Sequence, residues 1–406
     1  MIQIDGNRLN ATLQELATIG ATPGGGVTRL TLSDEDKAGR ELLAKWMTDA
    51  GLDVRVDDLG NMSGIRPGTE DAPPVYMGSH IDTVVRGGRY DGALGVMGAL
   101  EVIRTLNDHG IKTRLPVGIV NWTNEEGVRF EPATLASGVV AGAFTREYAY
   151  ARRDRNGLTF GDELERIGYK GDETQRPLPA SAYLELHVEQ GPVLEAAGKP
   201  VGVVGGIVGI VWHEVVVAGQ SDHAGPSPMS LRKDALMAAS GMITSIERVA
   251  LDRDDVTVAT VGRIRVEPDT INTIPGKAIF SVDFRHPDGD TIEELSRSLE
   301  KLAESVARNR GVDVSVERIW TSETTPFDST VVAAIRAGCQ RLELPYEELW
   351  SGAGHDAKHL ADLVPSGMIF VRSQGGVSHA EIEHSTPEDI AAGGNVLLQA
   401  ALTLAG

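Results

Sequence analysis

Several side chains able to bind a metal stand where extended segments of the chain run out. The stretch Val75 to Ser79 leads into His80-Ile81-Asp82, and Asp91 follows inside GGRYDGALG, just ahead of a helical pattern. A second apolar stretch, RLPVGIVNW, leads into Asn124-Glu125-Glu126-Gly127 and sets two adjacent carboxylates in a turn. In Tyr183 to Gln190 (YLELHVEQ), strand alternation puts Leu184, Leu186 and Val188 on one face and Glu185, His187 and Glu189 on the other. His379 ends GVSH after a further extended run and a glycine-rich turn. Strand termini are where α/β folds place ligands. The mixed imidazole and carboxylate set His80, Asp91, Glu126, His187 and His379 suits borderline divalent cations such as zinc, manganese, cobalt or nickel. Each residue also has an ordinary reading, since a glutamate pair is usually surface and a strand histidine is usually a satisfied one. Asp82, close behind His80, is placed to fix that imidazole's tautomer or simply to cap a turn. Arg285, ending DFR, offers the forked donors that grip a carboxylate, although an arginine at a strand end is usually solvated.

These residues need a framework, and the hydrophobic periodicity supplies one. A helix is expected near Asp34 to Ala50, a strand at Leu52 to Asp57, a buried strand at Pro74 to Ser79, a helix at Asp91 to His109 and a strand at Arg114 to Trp122. This alternation implies an α/β domain with a central mixed or parallel sheet. From about His213 the order becomes strand, helix (Asp234 to Val249), strand (Val256 to Val266), strand (Ala278 to His286), helix (Thr291 to Asn309) and strand (Val312 to Trp320). Such a βαββαβ order predicts a ferredoxin-like α+β domain. Helix and strand alternation resumes after Thr325, with Val331 to Leu342 helical and Ser366 to Val371 extended. The expected organisation is a catalytic domain of residues 1–211 and 326–406 with an inserted lid or dimerisation domain, 212–325, between hinges near Gly209 and Thr325.

Composition narrows the function. The 406 residues hold 38 Lys and Arg against 58 Asp and Glu, a formal charge of -20 that would repel nucleic acid and anionic membranes. The single cysteine, Cys339, excludes an intrachain disulfide, and the first residues show no basic leader or apolar core, so a cytoplasmic protein is expected. No apolar run is long enough for a membrane helix; the nearest, around Val201 to Trp212, reads as strand and turn. The glycines of GVVGGIVG lack dinucleotide-binding spacing and precede a strand, which argues against a dehydrogenase.

The motifs GSHIDTV, GGRYDGALGV, NEEGVRF, ELHVEQGP, DHAGPSPM, NTIPG, DFR and GVSHAEIEHSTPEDI, in order from about Gly78 to Asp389, resemble the N-carbamoyl-L-amino-acid hydrolase and allantoate amidohydrolase group. That group belongs to the metal-dependent aminoacylase and carboxypeptidase superfamily. The resemblance implies that Asp91 bridges two metal ions, with His80 and His187 completing one site and Glu126 and His379 the other. It makes Glu125 the base that takes a proton from water and returns it to the leaving nitrogen. It assigns Arg285 and Asn272 to the substrate carboxylate, with Gln190 and His355 as further binding candidates. It also implies that His223, in SDHAG, reaches the site of a partner subunit in a homodimer and steadies the oxyanion. His384 stands where the group often has an aromatic residue, and is read as structural. The implied reaction is hydrolysis of an N-carbamoyl-L-amino acid, or N-carbamoyl-β-alanine, to amino acid, carbon dioxide and ammonia, with allantoate as the alternative substrate. A dipeptidase or N-acyl deacylase fits His187 and DHAGPSPM less well. A non-catalytic binding protein on the same fold would not need Glu125 together with all five ligand candidates.

Overall fold

The computed structural model describes residues 2–254 and 256–406. Its chain divides into two compact units, one of Met1–Gly206 with Pro326–Gly406 and the other of Ile207–Thr325.

The larger unit is mixed α/β around a central mixed sheet. Four strands, Val117–Trp122, Val75–His80, Ala182–Val188 and Ser366–Val371, lie side by side and parallel in that order. Each is buried along its whole length, as expected of strands covered on both faces by helices. Antiparallel strands extend both sides: Met62–Arg66 and Asp53–Val56 on one, Val201–Ile207 on the other. The helix Ala93–Asp108 supplies a nearly all-apolar cover, and Pro387–Ala405, Gly6–Leu16 and Ser329–Arg341 pack into the same core. Helix starts follow ordinary capping chemistry: Ser33 accepts from the Asp36 amide and Thr386 from the Asp389 amide. Because the central strands are parallel, their carboxyl ends meet along one edge of the sheet. The loops leaving that edge carry the candidate ligands.

The smaller unit is an antiparallel sheet in the order Ile264–Glu267, Lys277–His286, Gly209–Ala218, Asp313–Ser322. Lys277–His286 alternates strictly, burying Ala278, Phe280, Val282 and Phe284 against the helices Ala235–Leu251 and Gly289–Arg310. The single strand expected at Val256 to Val266 is instead two, Val258–Thr260 and Ile264–Glu267, both paired with Lys277–His286. Thr260 faces Asp283 while Ile264 faces Phe280, so the outer strand carries one extra residue there, a bulge next to Gly262.

Candidate metal centre

His80 is the last residue of its strand, and its ring is oriented by one backbone contact. Nδ1 lies 2.9 Å from the carbonyl oxygen of Asp82, which leaves Nε2 buried, without a hydrogen-bond partner among the described residues, and 3.8 Å from Asp91 Oδ1. His187, one strand over, repeats the arrangement: Nδ1 is 2.9 Å from the Val188 carbonyl and Nε2 is 3.2 Å from the same Asp91 oxygen. Carbonyl acceptors keep a proton on Nδ1 of both rings and turn Nε2 to the carboxylates, where a metal ion would take the place of an Nε2 proton. The glycine after Asp91 is required here. Gly92 has φ +63, and a Cβ on it would stand 2.3 Å from the His80 ring.

The Glu125–Glu126 turn is fixed by three groups. Asn124, at φ 64, donates from its side chain to the Phe130 and Pro132 carbonyls, and the Thr134 amide donates to the Glu125 carbonyl at 2.7 Å. The Asp82 carboxylate accepts from the Thr31 hydroxyl at 2.7 Å and from the Glu125 and Glu126 amides at 3.4 Å. Asp82 therefore meets His80 through its carbonyl, its carboxylate standing 3.8 Å from Nδ1, and spends the carboxylate on the glutamate turn. The contact expected of that side chain is made by its backbone.

Two groups result, each with its ligand atoms within 4.8 Å of one another: His80, Asp91 and His187, and Asp91, Glu126 and His379. Asp91 belongs to both. His379 Nε2 is 3.4 Å from Asp91 Oδ2 and 3.6 Å from Glu126 Oε2. Glu125 belongs to neither group, although its Oε2 comes within 3.4 Å of His80 Nε2.

The electrostatics call for cations. Burial and the surrounding carboxylates, Asp356 foremost for Glu125 and Asp91 foremost for Glu126, push both glutamates well above the usual range. Burial acts the same way on Asp91, but hydrogen bonds from His187 and His379 outweigh it and hold that carboxyl well below its ordinary value. Burial likewise opposes charge on His187, yet Asp91 lifts it to about 9. A buried cluster rich in carboxylates, with an orphaned imidazole nitrogen facing it, fits divalent metal ions.

Gln190 and His355 reach the same place. Gln190, at φ 59, donates to Asp91 Oδ2 at 2.9 Å and keeps a buried Oε1 without a partner among the described residues, while the His355 ring lies 4.5 Å from that of His187. The other three candidates belong to the smaller unit. Arg285 is paired with Asp283 two residues back on its own strand, Nη2 to Oδ2 at 2.8 Å. His223 pairs in register with Thr273 in a short ribbon, beside Asn272, whose carbonyl accepts from the Ala224 amide at 2.9 Å. The exposed His384 sets its ring 6.0 Å from Tyr90, edge to face, and joins neither metal group. Sequence reasoning missed Asp356 and Glu383, both buried among these ligands. Glu383 lies in the same short motif as His379, but Glu381, Glu388 and Asp389 close by gave no sign of which acid turns inward.

Residues 76–403 match the family described as peptidase family M20/M25/M40. The chain belongs to that family. M20 members are metal-dependent, in keeping with the two ligand groups. Among relatives, the chain is 43% identical over 404 residues, 99% of its length and 97% of the other's, to an N-carbamoyl-L-amino-acid amidohydrolase of Rhizobium meliloti. It is 35% identical to the allantoate amidohydrolase of Escherichia coli, covering 95% of this chain and 94% of that one. A hydantoinase/carbamoylase family amidase from Burkholderia multivorans superposes with a TM-score of 0.96 at 48% identity, covering 100% and 98% of the two chains. The resemblance read from the motifs is thus met across the whole M20 chain.

Proposed function

We propose that this protein is a metal-dependent amidohydrolase that removes the carbamoyl group of N-carbamoyl-L-amino acids. The reaction type rests on one observation above all: two ligand groups share Asp91, and Glu125 stands against them without belonging to either. The substrate class rests on the Rhizobium meliloti relative at 43% identity; the Escherichia coli relative at 35% favours allantoate as a second reading.

His80, Asp91 and His187 would hold one ion and Asp91, Glu126 and His379 the other. Zinc, manganese, cobalt or nickel bound there would supply Lewis acidity, easing ionisation of water and polarising a carbonyl. Glu125, buried beside them, accepts the proton of a water as its oxygen bonds to the ureido carbon. The terminal C–N bond then breaks, and Glu125 returns the proton to the nitrogen that leaves as ammonia. The remaining carbamic acid loses carbon dioxide to give the free amino acid. Asp82 holds the turn that carries this base, through both glutamate amides. Gln190 Oε1, buried and unpaired, is an acceptor for a substrate N–H, with His355 beside it. Arg285 and Asn272 bind the substrate carboxylate, and His223 serves the oxyanion from a second subunit of a homodimer formed by the 212–325 domain. No helix among the described residues is long and apolar enough to cross a membrane. The charge of -20 disfavours nucleic-acid partners, and the single cysteine, Cys339, suits a reducing, cytoplasmic compartment.

The test is ammonia release by metal-loaded protein offered N-carbamoyl-L-amino acids, their D-enantiomers, N-carbamoyl-β-alanine and allantoate. Preferred turnover of an L-carbamoyl series supports the proposal. Turnover of allantoate alone moves the assignment to the second reading.

A further inference from the structure

We propose that Glu383 is a positioning residue that sets the affinity of the His379 metal group, a reading that rests on the metal assignment above. The two groups are held in unlike ways. His80 and His187 sit in central strands, each with Nδ1 fixed by a backbone carbonyl at 2.9 Å. His379 lies on a loop beyond the sheet at φ 54, its side chain 54% exposed, and its Nδ1 takes no partner among the described residues. Something other than the strand framework must hold it against Asp91 and Glu126.

Glu383 is the group placed to do so. Its side chain is buried, 3% exposed, and each oxygen serves one of the two segments that must meet. Oε1 accepts from the backbone amides of Tyr90 and Asp91 at 3.3 and 3.1 Å, fixing the segment that carries the shared carboxylate. Oε2 accepts from the hydroxyl of Ser378 at 2.7 Å, and Ser378 directly precedes His379. The same hydroxyl lies 3.2 Å from Asp91 Oδ2, so one side chain ties the His379 loop to both the backbone and the carboxylate of Asp91. The sequence makes room for it. A Cβ on Gly88 would stand 2.0 Å from Glu383 Oε1, so only glycine at that position leaves the carboxylate its seat. Without Glu383, Asp91 keeps its contacts with His80 and His187, but the His379 loop loses its tie to the Tyr90 and Asp91 backbone and is left with only the Ser378 hydroxyl against Asp91 Oδ2. The effect therefore falls mainly on the His379 group, because His80 and His187 are held by their own strands and backbone carbonyls.

The test is a metal titration. Chelated wild type, Glu383→Ala, Ser378→Ala and Glu383→Gln, each verified as folded by circular dichroism, are titrated with Co2+ while bound metal and the visible Co2+ spectrum are recorded. Wild type is expected to take up two equivalents tightly. In Glu383→Ala and Ser378→Ala the first equivalent binds as in wild type, and the second is weakened about 10- to 100-fold, the range expected when a partner that orients a ligand is removed. Glu383→Gln, whose amide oxygen still accepts from the Tyr90 and Asp91 amides while its NH2 donates to Ser378, recovers the second site. The inference is overturned if the second equivalent binds both alanine variants as it binds wild type, or if both equivalents weaken together in folded protein. Should Glu383→Ala not fold, Ser378→Ala, which loses only a hydroxyl, decides between these outcomes by itself. A wild type that takes up fewer than two equivalents overturns the metal assignment itself, and that result is distinct from either of the others.

Discussion

Glu125→Gln separates the base from the ligands. The side chain is buried, its amide faces Asp82 Oδ1 at 3.4 Å and its carbonyl accepts from Thr134, so the backbone of the turn is held independently of the carboxylate. Glutamine has the same shape and keeps those backbone contacts, but it cannot accept and return a proton. General acid and base catalysis by a positioned group contributes roughly 10²- to 10⁴-fold, which corresponds to about 3 to 6 kcal/mol of barrier at about 1.4 kcal/mol per tenfold. Because Glu125 is in neither ligand group, metal content is expected to stay at its wild-type level while kcat for ammonia release falls by that factor. The assay is steady-state ammonia release by protein whose bound metal is counted in the same preparation by mass spectrometry. Loss of metal in the variant would make Glu125 a ligand, and activity within tenfold of wild type would remove it as the base.

Asp91→Ala is expected to abolish tight binding at both sites, because Asp91 faces His187 at 3.2 Å through one oxygen and His379 at 3.4 Å through the other; metal analysis that finds one ion still tightly bound contradicts the shared role. Arg285→Lys replaces a planar fork, and loss of a charged hydrogen bond of about 1.5 to 3 kcal/mol is expected to raise KM for carboxylate substrates roughly 10- to 100-fold with a smaller change in kcat. An unchanged KM takes Arg285 out of substrate binding. Burial, with Arg318 nearby, lowers the His213 pKa from 6.5 to about 4. Its contribution to stability is therefore complete above pH 6.5 and is lost as pH falls towards 4. Melting temperatures of wild type and His213→Gln measured across that window should converge on acidification, and parallel curves would exclude the linkage.

The elements that position the chemistry were legible because their burial is simple. The extended run expected at Ser366 to Val371 has those ends in the fold, and the helix expected near Asp34 to Ala50 runs Asp34–Asp49, each marked by a clear apolar period or cap. The helix Pro387–Ala405 was not legible, because Gly393, Gly394 and its many small residues blur the apolar stripe, although Thr386-Pro387 marks its start. The strand expected at Val256 to Val266 divided because a bulge is a pairing event that one strand's alternation does not record. At the site, His80 was visible at the end of a buried strand and His187 only as one polar residue of an alternating strand that the fold buries on both faces, but nearly three hundred positions separate His80 from His379. No local pattern joins them; parallel strands whose ends share one edge do. The role of Asp82 was half legible, since spacing brought it to His80 without revealing that its carbonyl makes the contact. Glu383 was hidden because hydrogen bonds to the Tyr90 and Asp91 amides exist only once the chain has folded back across nearly three hundred residues.

The central claim is that two cations gathered around Asp91 allow the residues beside them to cleave a ureido group. Its most direct test adds Co2+ stepwise to chelated wild-type protein while ammonia release from one N-carbamoyl-L-amino acid is followed. The account predicts no turnover without metal and a rise that levels off at two bound ions per chain. Full activity in the chelated protein, or ions bound at both groups with no ammonia released from any ureido acid, would contradict it.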